Sequence, residues 1–487
     1  MRDCNAQQAV NLMDPKKNYL NGQWVGGGEM IDVVNPATGQ TIANVATVTR
    51  DQVRQALIDA QAAFEPWRAL PAKSRADFLL AIAAELARRT EEVARLITQE
   101  NGKPLAQSRG EVAMSVDHLR WFAEECRRAY GRMIPHQAPG KRNFVLKHPV
   151  GVVAAIAPWN FPLVLSVRKI APALAAGCPT ILKPASQTPL CNIGFAECCE
   201  AAKLPKGVFQ LVVGSASMIG EEFLSNPICK KITFTGSTEV GQKLIAGAAR
   251  DVKKLSLELG GHAPCIVFDD AELDRAVEGV LAAKFRNTGQ SCIAANRIYV
   301  QAEVYDWFVA MFVKRVKAFK TGNGLEGDQD IGPVVNEKGL NFALDQIEDA
   351  KRRGARVLAG GKRIGNAGFF LEPTVLADVP DDAACMHEET FAPVAPIVRF
   401  EKEADAIRMA NGSPFGLSAY AFTTNLDRMF RVAEKLEAGT IGINDGVPTT
   451  SNAPFGGMKH SGWGRELGSE GLDAFLETKH VSIGVIE

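Results

Sequence analysis

The chain has 487 residues, 46% of them hydrophobic and 23% charged, a composition typical of a globular protein of about three domain-sized units. Its 55 Lys and Arg balance its 55 Asp and Glu, so no overall field favours nucleic acid or an anionic membrane as a partner. The polar N-terminus, MRDCNAQQAVNL, lacks a signal-peptide pattern and no apolar run is long enough to cross a membrane, which predicts a soluble, cytoplasmic protein. Its ten cysteines are then expected as reduced thiols, and seven scattered histidines without zinc-ligand spacing predict no catalytic metal.

The N-terminal third combines a hairpin with helices. Asn21-Gly22 within residues 19–25 predicts a two-residue hairpin turn. Apolar residues at helical spacing over about residues 50–103, and again over 111–128, predict scaffold helices packed on a sheet. Residues 143–147 predict a short strand outside the main body.

Short apolar runs then alternate with helical stretches, which predicts a doubly wound parallel sheet. The predicted strands are 152–157, 180–183, 209–213 and 231–234. Ligands of such sheets bind beyond the carboxyl ends of the strands, so the loops at 158–162, 183–186 and 235–241 are candidates. The last loop, TGSTEVG, is neither GxGxxG nor a P-loop; it fits a tight turn or a helix N-terminus that meets a pyrophosphate.

Glu258 stands out in the segment KLSLELGG. Leucines alternate with Ser256 and Glu258, so a strand would place Glu258 opposite the leucine face. The glutamate is then either a surface charge on an edge strand or a carboxylate directed into a cleft. The adjacent Gly260-Gly261 permits close approach and favours the cleft.

A second α/β region occupies residues 271–438, with strands predicted at 297–300, 356–359 and 394–400. At its start, a helix from about residue 270 should end at Asn287-Thr288-Gly289, which leaves Cys292 in a turn. A single cysteine is more often a buried structural residue than a nucleophile. The small and polar residues around Cys292 favour the nucleophile, and the rest of the chain has to decide.

Seven short motifs are spread over most of the chain. In order they are PWNFP (158–162), KPAS (183–186), FTGSTEVG (234–241), LELGG (257–261), GQSC (289–292), EETFAP (388–393) and PFGG (454–457). Together they resemble the aldehyde dehydrogenase superfamily over nearly the whole chain. KFRNTGQSC and the arginine of SVRKIAPALAAGC are most similar to its succinate-semialdehyde dehydrogenase branch.

The resemblance implies an α/β fold of the aldehyde dehydrogenase type in three parts. Residues 1–125 and 149–258 would form a Rossmann-like NAD(P)-binding domain, and residues 259–438 an α/β catalytic domain, with 439–475 returning to the cofactor domain. Residues 126–148 and 476–487 would form a small β oligomerisation arm, which implies a homodimer or homotetramer.

The resemblance also implies the reacting groups. Cys292 would attack the aldehyde, the Asn160 amide and the Cys292 backbone N–H would stabilise the oxyanion, and Glu258 would activate water to hydrolyse the thioester. The cofactor, NADP or NAD, would contact Ile156, Pro158, Trp159, Lys183, Ser186, Phe234, Gly236, Ser237, Leu259, Glu389 and Phe391. Because Ser186 is uncharged where a carboxylate would repel a 2′-phosphate, we expect NADP to be accepted, alongside NAD.

Two arginines carry the substrate hypothesis. Arg286 lies six residues before Cys292, and Arg168 follows the Asn160 loop on a predicted helix. The guanidinium group of each could therefore donate paired hydrogen bonds to an anion. Each alone would more simply be a surface arginine at a helix end. In the resembling branch both matching positions bind a distal carboxylate, which implies an anionic ω-semialdehyde, with succinate semialdehyde preferred. Thr449 and Ser451 would add hydroxyl donors, and glutarate semialdehyde or sulfolactaldehyde stay as alternatives.

Two other kinds of protein fit the chain less well. A nonenzymatic structural relative would be expected to lack the nucleophile or the base, and Cys292 and Glu258 are both present. A CoA-acylating enzyme shares the thioester, but Glu258 favours water as the acceptor. Ala294 occupies the position two residues after Cys292, where some relatives carry a cysteine, so no local redox disulfide is expected.

Overall fold

The computed structural model describes residues 15–485, so the segment predicted to lack a signal peptide, and the last two residues of the predicted arm, lie outside the described residues. Within this range the strands are β1 (Asn18–Leu20), β2 (Gln23–Val25), β3 (Met30–Asn35), β4 (Gln40–Ala46), β5 (Arg132–Ile134), β6 (Lys141–Pro149), β7 (Val152–Ile156), β8 (Thr180–Lys183), β9 (Phe209–Leu211), β10 (Cys229–Thr235), β11 (Lys254–Glu258), β12 (Ala263–Val267), β13 (Ala295–Gln301), β14 (Arg356–Ala359), β15 (Arg363–Ile364), β16 (Phe370–Leu371), β17 (Thr374–Ala377), β18 (Val394–Phe400), β19 (Phe415–Gly416), β20 (Ser418–Phe422), β21 (Thr440–Ile443), β22 (Met458–Lys459), β23 (Gly462–Trp463) and β24 (Leu476–Gly484).

The α-helices of the same range are α1 (Arg50–Arg68), α2 (Ala72–Arg88), α3 (Thr90–Asn101), α4 (Leu105–Cys126), α5 (Pro162–Ala176), α6 (Leu190–Ala201), α7 (Ala216–Ser225), α8 (Thr238–Ala248), α9 (Leu273–Phe285), α10 (Ala302–Lys317), α11 (Glu337–Arg352), α12 (Glu403–Asn411), α13 (Leu426–Lys435) and α14 (Gly468–Asp473).

The N-terminal elements follow the sequence prediction closely. Asn21 and Gly22 both have positive φ in the turn between the antiparallel strands β1 and β2. The predicted helical region is three helices, α1 to α3, and Pro71 separates the first two because it has no N–H to continue the ladder. Helix α4 begins at Leu105, earlier than predicted, directly after Pro104.

The first sheet has eight strands in the order β2-β1-β9-β8-β7-β10-β11-β23. The five strands from β9 to β11 are parallel, which confirms the predicted doubly wound sheet. The antiparallel strands β1 and β2 extend it on one side, and β23 extends it on the other. Val153 and Leu182 face a core built with α2 to α6, whereas Val152 and Ile181 face one built with α1 and α7. The strand order reverses between β7 and β10, where open α/β sheets bind their ligands.

The second sheet has seven strands in the order β14-β17-β18-β13-β12-β20-β21. All but β14 are parallel to their neighbours. The predicted return of the chain to the first unit after residue 438 comes too early, because Thr440–Ile443 pairs with β20 in this sheet. The chain joins the first sheet again at Gly462–Trp463, which pairs with β11.

A separate three-stranded sheet, β24-β6-β5, joins the C-terminal strand to the segment before the first parallel strand. Strand β6 is longer than the predicted 143–147 because β24 pairs with it along its whole length. Across residues 15–485, no helix combines the length and the apolar character needed to span a bilayer.

Candidate active site

The candidate residues of the first sheet lie at the carboxyl ends of adjacent parallel strands. Lys183 is paired with Ile156, and Ile156 with Phe234. One residue further on, Thr235 is paired with Glu258. This register brings four sequence motifs, separated by up to a hundred residues, to one edge of the sheet.

Cys292 follows a buried turn with a strained backbone. Helix α9 ends at Phe285, as predicted, and Asn287, Thr288 and Gly289 then take left-handed φ angles of 52°, 59° and 72°. This conformation costs an L-residue about 1–2 kcal/mol, so contacts with neighbouring segments must hold the turn. A Cβ at Gly261 would lie 2.1 Å from the Cys292 carbonyl oxygen, so the glycine of LELGG permits the close approach that its sequence context predicted.

Cys292 is set apart from the other cysteines by the exposure of the residue as a whole. It is partly exposed, whereas every other cysteine between residues 15 and 485 is buried, and all of these thiols are free. Burial of the sulfur, together with the Glu389 and Glu258 carboxyls, raises the pKa of the thiol to about 12, and two arginines oppose that rise. The thiol is therefore protonated near neutral pH, and attack on a carbonyl requires a base to take its proton.

Asn160 is held next to the turn that precedes Cys292. Its side-chain Nδ2 donates a hydrogen bond of 3.2 Å to the carbonyl oxygen of Gln290, two residues before Cys292. Because that carbonyl can only accept, the bond fixes which face of the amide carries the N–H groups. One N–H of the same nitrogen is left for a developing oxyanion.

Glu258 ends β11 and is only 3% exposed. Its Oε2 has no hydrogen-bond partner among the described residues, and its Oε1 lies where a Cβ on Gly456 would approach to 2.7 Å. Burial and then the Glu466 carboxyl raise the pKa of Glu258 well above its ordinary value. A carboxylate of raised pKa is a stronger base, as proton abstraction near neutral pH requires.

A buried ion pair lies beside Glu258, and the sequence did not predict it. Lys169 pairs with Glu466 and donates a 2.6 Å hydrogen bond to Thr235 Oγ1, and both charged side chains are buried. Lys169 also lowers the pKa of Glu258, against Glu466, so the pair tunes the candidate base. A lysine in the otherwise apolar SVRKIAPAL was the available signal, but its partner lies almost 300 residues away.

One cavity, of about 200 Å³, opens on the sheet side of Cys292. Of the predicted cofactor residues, Pro158, Trp159, Gly236, Ser237, Leu259, Glu389 and Phe391 line it, together with Asn160 and Cys292. The Trp159 and Phe391 rings meet edge to face with centroids 5.4 Å apart, which makes an apolar wall. Burial raises the pKa of Glu389 to about 8, and its Oε1 accepts the Gly261 N–H at 3.2 Å.

The remaining predicted cofactor residues lie outside this lining. Ile156 and Phe234 are paired residues of β7 and β10. Lys183 is buried at the end of β8, where its Nζ donates to the Pro184 carbonyl at 3.1 Å, and Ser186 lies in the following turn, partly exposed. Burial lowers the pKa of Lys183 to about 8.

These residues fit a nicotinamide dinucleotide. Ser237 caps helix α8 by accepting the Val240 N–H, so a helix N-terminus faces the strand ends where a pyrophosphate would lie. Gly260 lines the cavity without a side chain, and a Cβ there would lie 3.2 Å from Glu389 Oε2. The aromatic wall and this carboxyl suit the nicotinamide ring and its ribose.

A second, narrower cavity of about 30 Å³ meets Cys292 from the other side. It contains three of the four predicted substrate residues, Arg168, Arg286 and Thr449. Its apolar walls, which the sequence reasoning missed, are Met114, Phe161, Val164, Leu165, Ile293 and Phe455. The Arg168 guanidinium packs 5.0 Å from the Phe455 ring and that of Arg286 packs 5.2 Å from the Phe161 ring.

Neither guanidinium group has a hydrogen bond or an ion pair to any residue between 15 and 485. Arg168 is only 6% exposed and its Nε is unpartnered, as is the buried hydroxyl of Thr449. Burial lowers the pKa of both guanidinium groups from a very high ordinary value. Ser451, the fourth predicted substrate residue, is not part of this lining; its carbonyl accepts the Gly468 N–H at 2.9 Å. No cluster of three His, Cys, Asp or Glu suited to a metal ion occurs in residues 15–485.

Comparison with known proteins gives the family. Residues 24–481 match the model of the aldehyde dehydrogenase family. The chain is similar to glutarate-semialdehyde dehydrogenase of Pseudomonas aeruginosa (49% identity, covering 96% of this chain and 97% of that protein). It is also similar to the NADP(+) succinate-semialdehyde dehydrogenase of Escherichia coli K12 (48% identity, 96% and 97%).

Comparison with solved structures supports the same family. A crystal structure of an NADP-dependent enzyme from E. coli superposes with a TM-score of 0.96 at 48% identity, covering 97% of this chain and 98% of that chain. The chain therefore belongs to the aldehyde dehydrogenase family, as its motifs predicted, and it is an oxidoreductase that acts on an aldehyde.

Proposed function

We propose that this enzyme oxidises an anionic ω-semialdehyde to the diacid with NADP or NAD, and that succinate semialdehyde is its preferred substrate. The observation that carries the proposal is the pair of arginines, Arg168 and Arg286, that face the narrow cavity at Cys292 without an anionic partner. The similarity to two semialdehyde dehydrogenases supports it.

The physical argument rests on charge. Leaving a buried cation unpaired costs several kcal/mol, which structures keep only where a ligand supplies the counter-charge. Two planar guanidinium groups with a free hydroxyl from Thr449 match a carboxylate, which accepts several forked hydrogen bonds. The narrow cavity favours a short chain between this anion site and the sulfur.

The mechanism begins at Cys292. The Cys292 thiol gives its proton to solvent, and the resulting thiolate attacks the aldehyde carbon to form a tetrahedral thiohemiacetal. The Asn160 Nδ2–H and the Cys292 backbone N–H donate to the oxyanion of that adduct. A nicotinamide dinucleotide, when bound, supplies the hydride acceptor that converts the adduct to a thioester.

Hydrolysis then releases the product. Glu258, with its pKa raised by burial, takes a proton from water as the water attacks the thioester carbon. The same oxyanion donors stabilise the second tetrahedral intermediate, and the Cys292 thiolate leaves. The Lys169–Glu466 pair lies close enough to Glu258 to influence its pKa.

Three alternatives have distinct outcomes in one assay. Dinucleotide reduction is followed with semialdehydes of three to five carbons, with sulfolactaldehyde and with neutral aldehydes, each with and without CoA. We expect the highest kcat/KM with succinate semialdehyde and no dependence on CoA. Preference for glutarate semialdehyde or for sulfolactaldehyde would mean that the arginines bind the anion of that aldehyde instead. Dependence on CoA would mean that CoA, and not water, accepts the acyl group.

Replacing Arg286 by Ala should raise KM for succinate semialdehyde by about 100-fold, because a charge-assisted contact to the anion contributes about 1.5–3 kcal/mol. Butyraldehyde, which lacks the carboxylate, should lose little. Steady-state kinetics with both aldehydes checks this, and Arg315→Ala, which removes an exposed arginine paired with Glu278, is the control. Equal losses for the two aldehydes would contradict an anion site.

Lys183 makes the cofactor preference depend on pH. We propose that Lys183 and Ser186 admit the 2′-phosphate of NADP, and that the enzyme also uses NAD. Because the pKa of Lys183 is lowered to about 8, its ammonium is charged below that pH and neutral above it. KM for NADP should therefore rise as the pH passes about 8, and KM for NAD should rise less. A hundredfold preference for NAD at pH 7 would contradict the proposal.

The domain division and assembly are part of the proposal. Residues 15–125 and 149–258 would carry the cofactor and residues 259–443 the nucleophile, a boundary moved by the pairing of β21. The three-stranded sheet β24-β6-β5 would join subunits into a homodimer or homotetramer, with exposed Met133 and Ile483 on it in support. We expect the enzyme in the cytoplasm.

A further inference from the structure

A fully buried ion pair lies behind the loop that carries Asn160. Lys103, between α3 and α4, pairs with Glu111 of α4 at 2.6 Å, and neither side chain has any exposed surface. Neither residue lines the cavity on either side of Cys292. Their charges therefore do not contact the aldehyde or the dinucleotide.

Each partner has a second set of contacts, and all of them are made to one short segment. Lys103 Nζ donates to the Asn160 carbonyl oxygen at 2.7 Å and lies 3.9 Å from the centre of the Phe161 ring. Glu111 Oε1 accepts the N–H groups of Leu163 and Val164, at 2.9 and 3.2 Å, in the first turn of α5. The pair thus fixes the backbone on both sides of Phe161.

The Asn160 carbonyl is also tied to the turn that precedes Cys292. Asn287 Nδ2 donates to the Asn160 carbonyl oxygen at 2.7 Å and to the Gln290 carbonyl oxygen at 3.1 Å. The Gln290 carbonyl in turn accepts Asn160 Nδ2. A shift of the Asn160 backbone would therefore move its amide relative to the turn that ends at Cys292.

A general role in stability accounts poorly for this arrangement. Taking two charges out of water costs about as much as their attraction returns, so a buried ion pair is weak support for stability, and apolar side chains often replace one without loss. What such a pair does supply is a fixed geometry. Here that geometry is imposed on the residue whose amide must meet a developing oxyanion.

We propose that Lys103, held by Glu111, is a positioning residue that sets the Asn160 amide for the transition state. The inference rests on the proposed function, in which Asn160 is the oxyanion donor. Displacement of a catalytic group by about 1 Å is enough to lower a rate by about 100-fold. The contribution of Lys103 should then be expressed only through Asn160.

A double-mutant cycle tests that dependence. The variants are Lys103→Met, Asn160→Ala and both together, and the rate measured is that of the first turnover of succinate semialdehyde. We expect Asn160→Ala to lower it about 100- to 1,000-fold and Lys103→Met about 10- to 100-fold. The combined variant should match Asn160→Ala within about twofold, because the amide that Lys103 positions is already absent.

A second readout separates positioning from damage to the nucleophile. Alkylation of Cys292 by iodoacetamide forms no oxyanion, so its rate should be unchanged in Lys103→Met. Glu222→Gln is the control, since Glu222 is a buried carboxylate that pairs with Arg50 and Arg54 outside both cavities, and its first turnover should keep the wild-type rate. If Lys103→Met does not fold, Glu111→Gln keeps an oxygen for the N–H groups of α5 and enters the same cycle, with the same expectation.

Different results would contradict the positioning role of Lys103 and the oxyanion role of Asn160. Losses that multiply in the combined variant, or alkylation that falls as much as turnover, would overturn the positioning role alone. An Asn160→Ala enzyme with the wild-type rate would instead contradict the oxyanion role in the proposed function.

Discussion

Replacement of Cys292 by Ala should lower the rate of aldehyde oxidation by about 10⁴-fold or more, because the covalent route is lost with the nucleophile. The change removes one sulfur atom at a partly exposed position, so the fold and the binding of the dinucleotide should persist. Steady-state reduction of the dinucleotide measures the loss, and fluorescence titration measures binding.

The control for this variant is another thiol of the chain. Cys199 is buried in α6, and burial raises its pKa well above the ordinary value, so Cys199→Ala should keep the wild-type rate. Because the pKa of Cys292 is also raised, the fraction of thiolate in the free enzyme grows with pH, and iodoacetamide should inactivate the enzyme faster as the pH rises. Oxidation retained in Cys292→Ala would rule out the thioester route.

Replacement of Glu258 by Gln should lower kcat about 10²- to 10⁴-fold, the usual contribution of a general base. Gln has the same size and cannot accept the proton of water. Dinucleotide reduction should then show a burst of about one equivalent per active site, followed by slow turnover, because the thioester forms but is not hydrolysed. Rapid mixing in a stopped-flow instrument measures the burst.

The pH profile gives an independent check of the base. The pKa of Glu258 is raised, so its carboxylate form, and with it the wild-type kcat, should increase as the pH rises through that pKa. Glu258→Gln should lose this dependence. A variant with slow but linear reduction and no burst would indicate that Glu258 acts before hydride transfer.

Glu258 illustrates how far a local pattern predicts a site. Alternation with leucines placed its side chain on the opposite face, and Leu257 and Leu259 are indeed buried. The alternation left an edge-strand surface charge open, and the structure excludes it, because β23 covers the far side of β11 and the side chain is buried. That strand lies 200 residues later, beyond the reach of any local pattern.

The turn at residues 287–289, before Cys292, shows a second limit of prediction from sequence. Asn287 and Gly289 predicted a turn, since both tolerate a left-handed backbone. Thr288, a β-branched residue with φ of 59°, was not predictable, because its conformation is held by hydrogen bonds between its hydroxyl and Gly332. The strained backbone of Thr288 is stabilised by the segment around Gly332, and no local sequence pattern indicates that this segment contacts the turn.

Buried charges were the largest gap. Arg168 and Arg286 were predicted from their positions near Asn160 and Cys292 together with the resemblance to the semialdehyde dehydrogenase branch. Lys169 is also close to Asn160, whereas Lys103 lies far from both residues in sequence. The roles of the two lysines depend on Glu466 and Glu111, and a lysine in the sequence does not indicate which carboxylate it will pair with. Sequence therefore predicted the groups assigned to the reaction and missed those that orient or tune them.

The most direct test captures the intermediate itself. Glu258→Gln enzyme is mixed with a dinucleotide and equal concentrations of succinate semialdehyde and butyraldehyde, quenched in acid, and analysed by peptide mass spectrometry. The account predicts a succinyl group on the peptide that contains Cys292, in large excess over a butyryl group. An acyl group on another residue, or equal amounts of the two groups on Cys292, would contradict it.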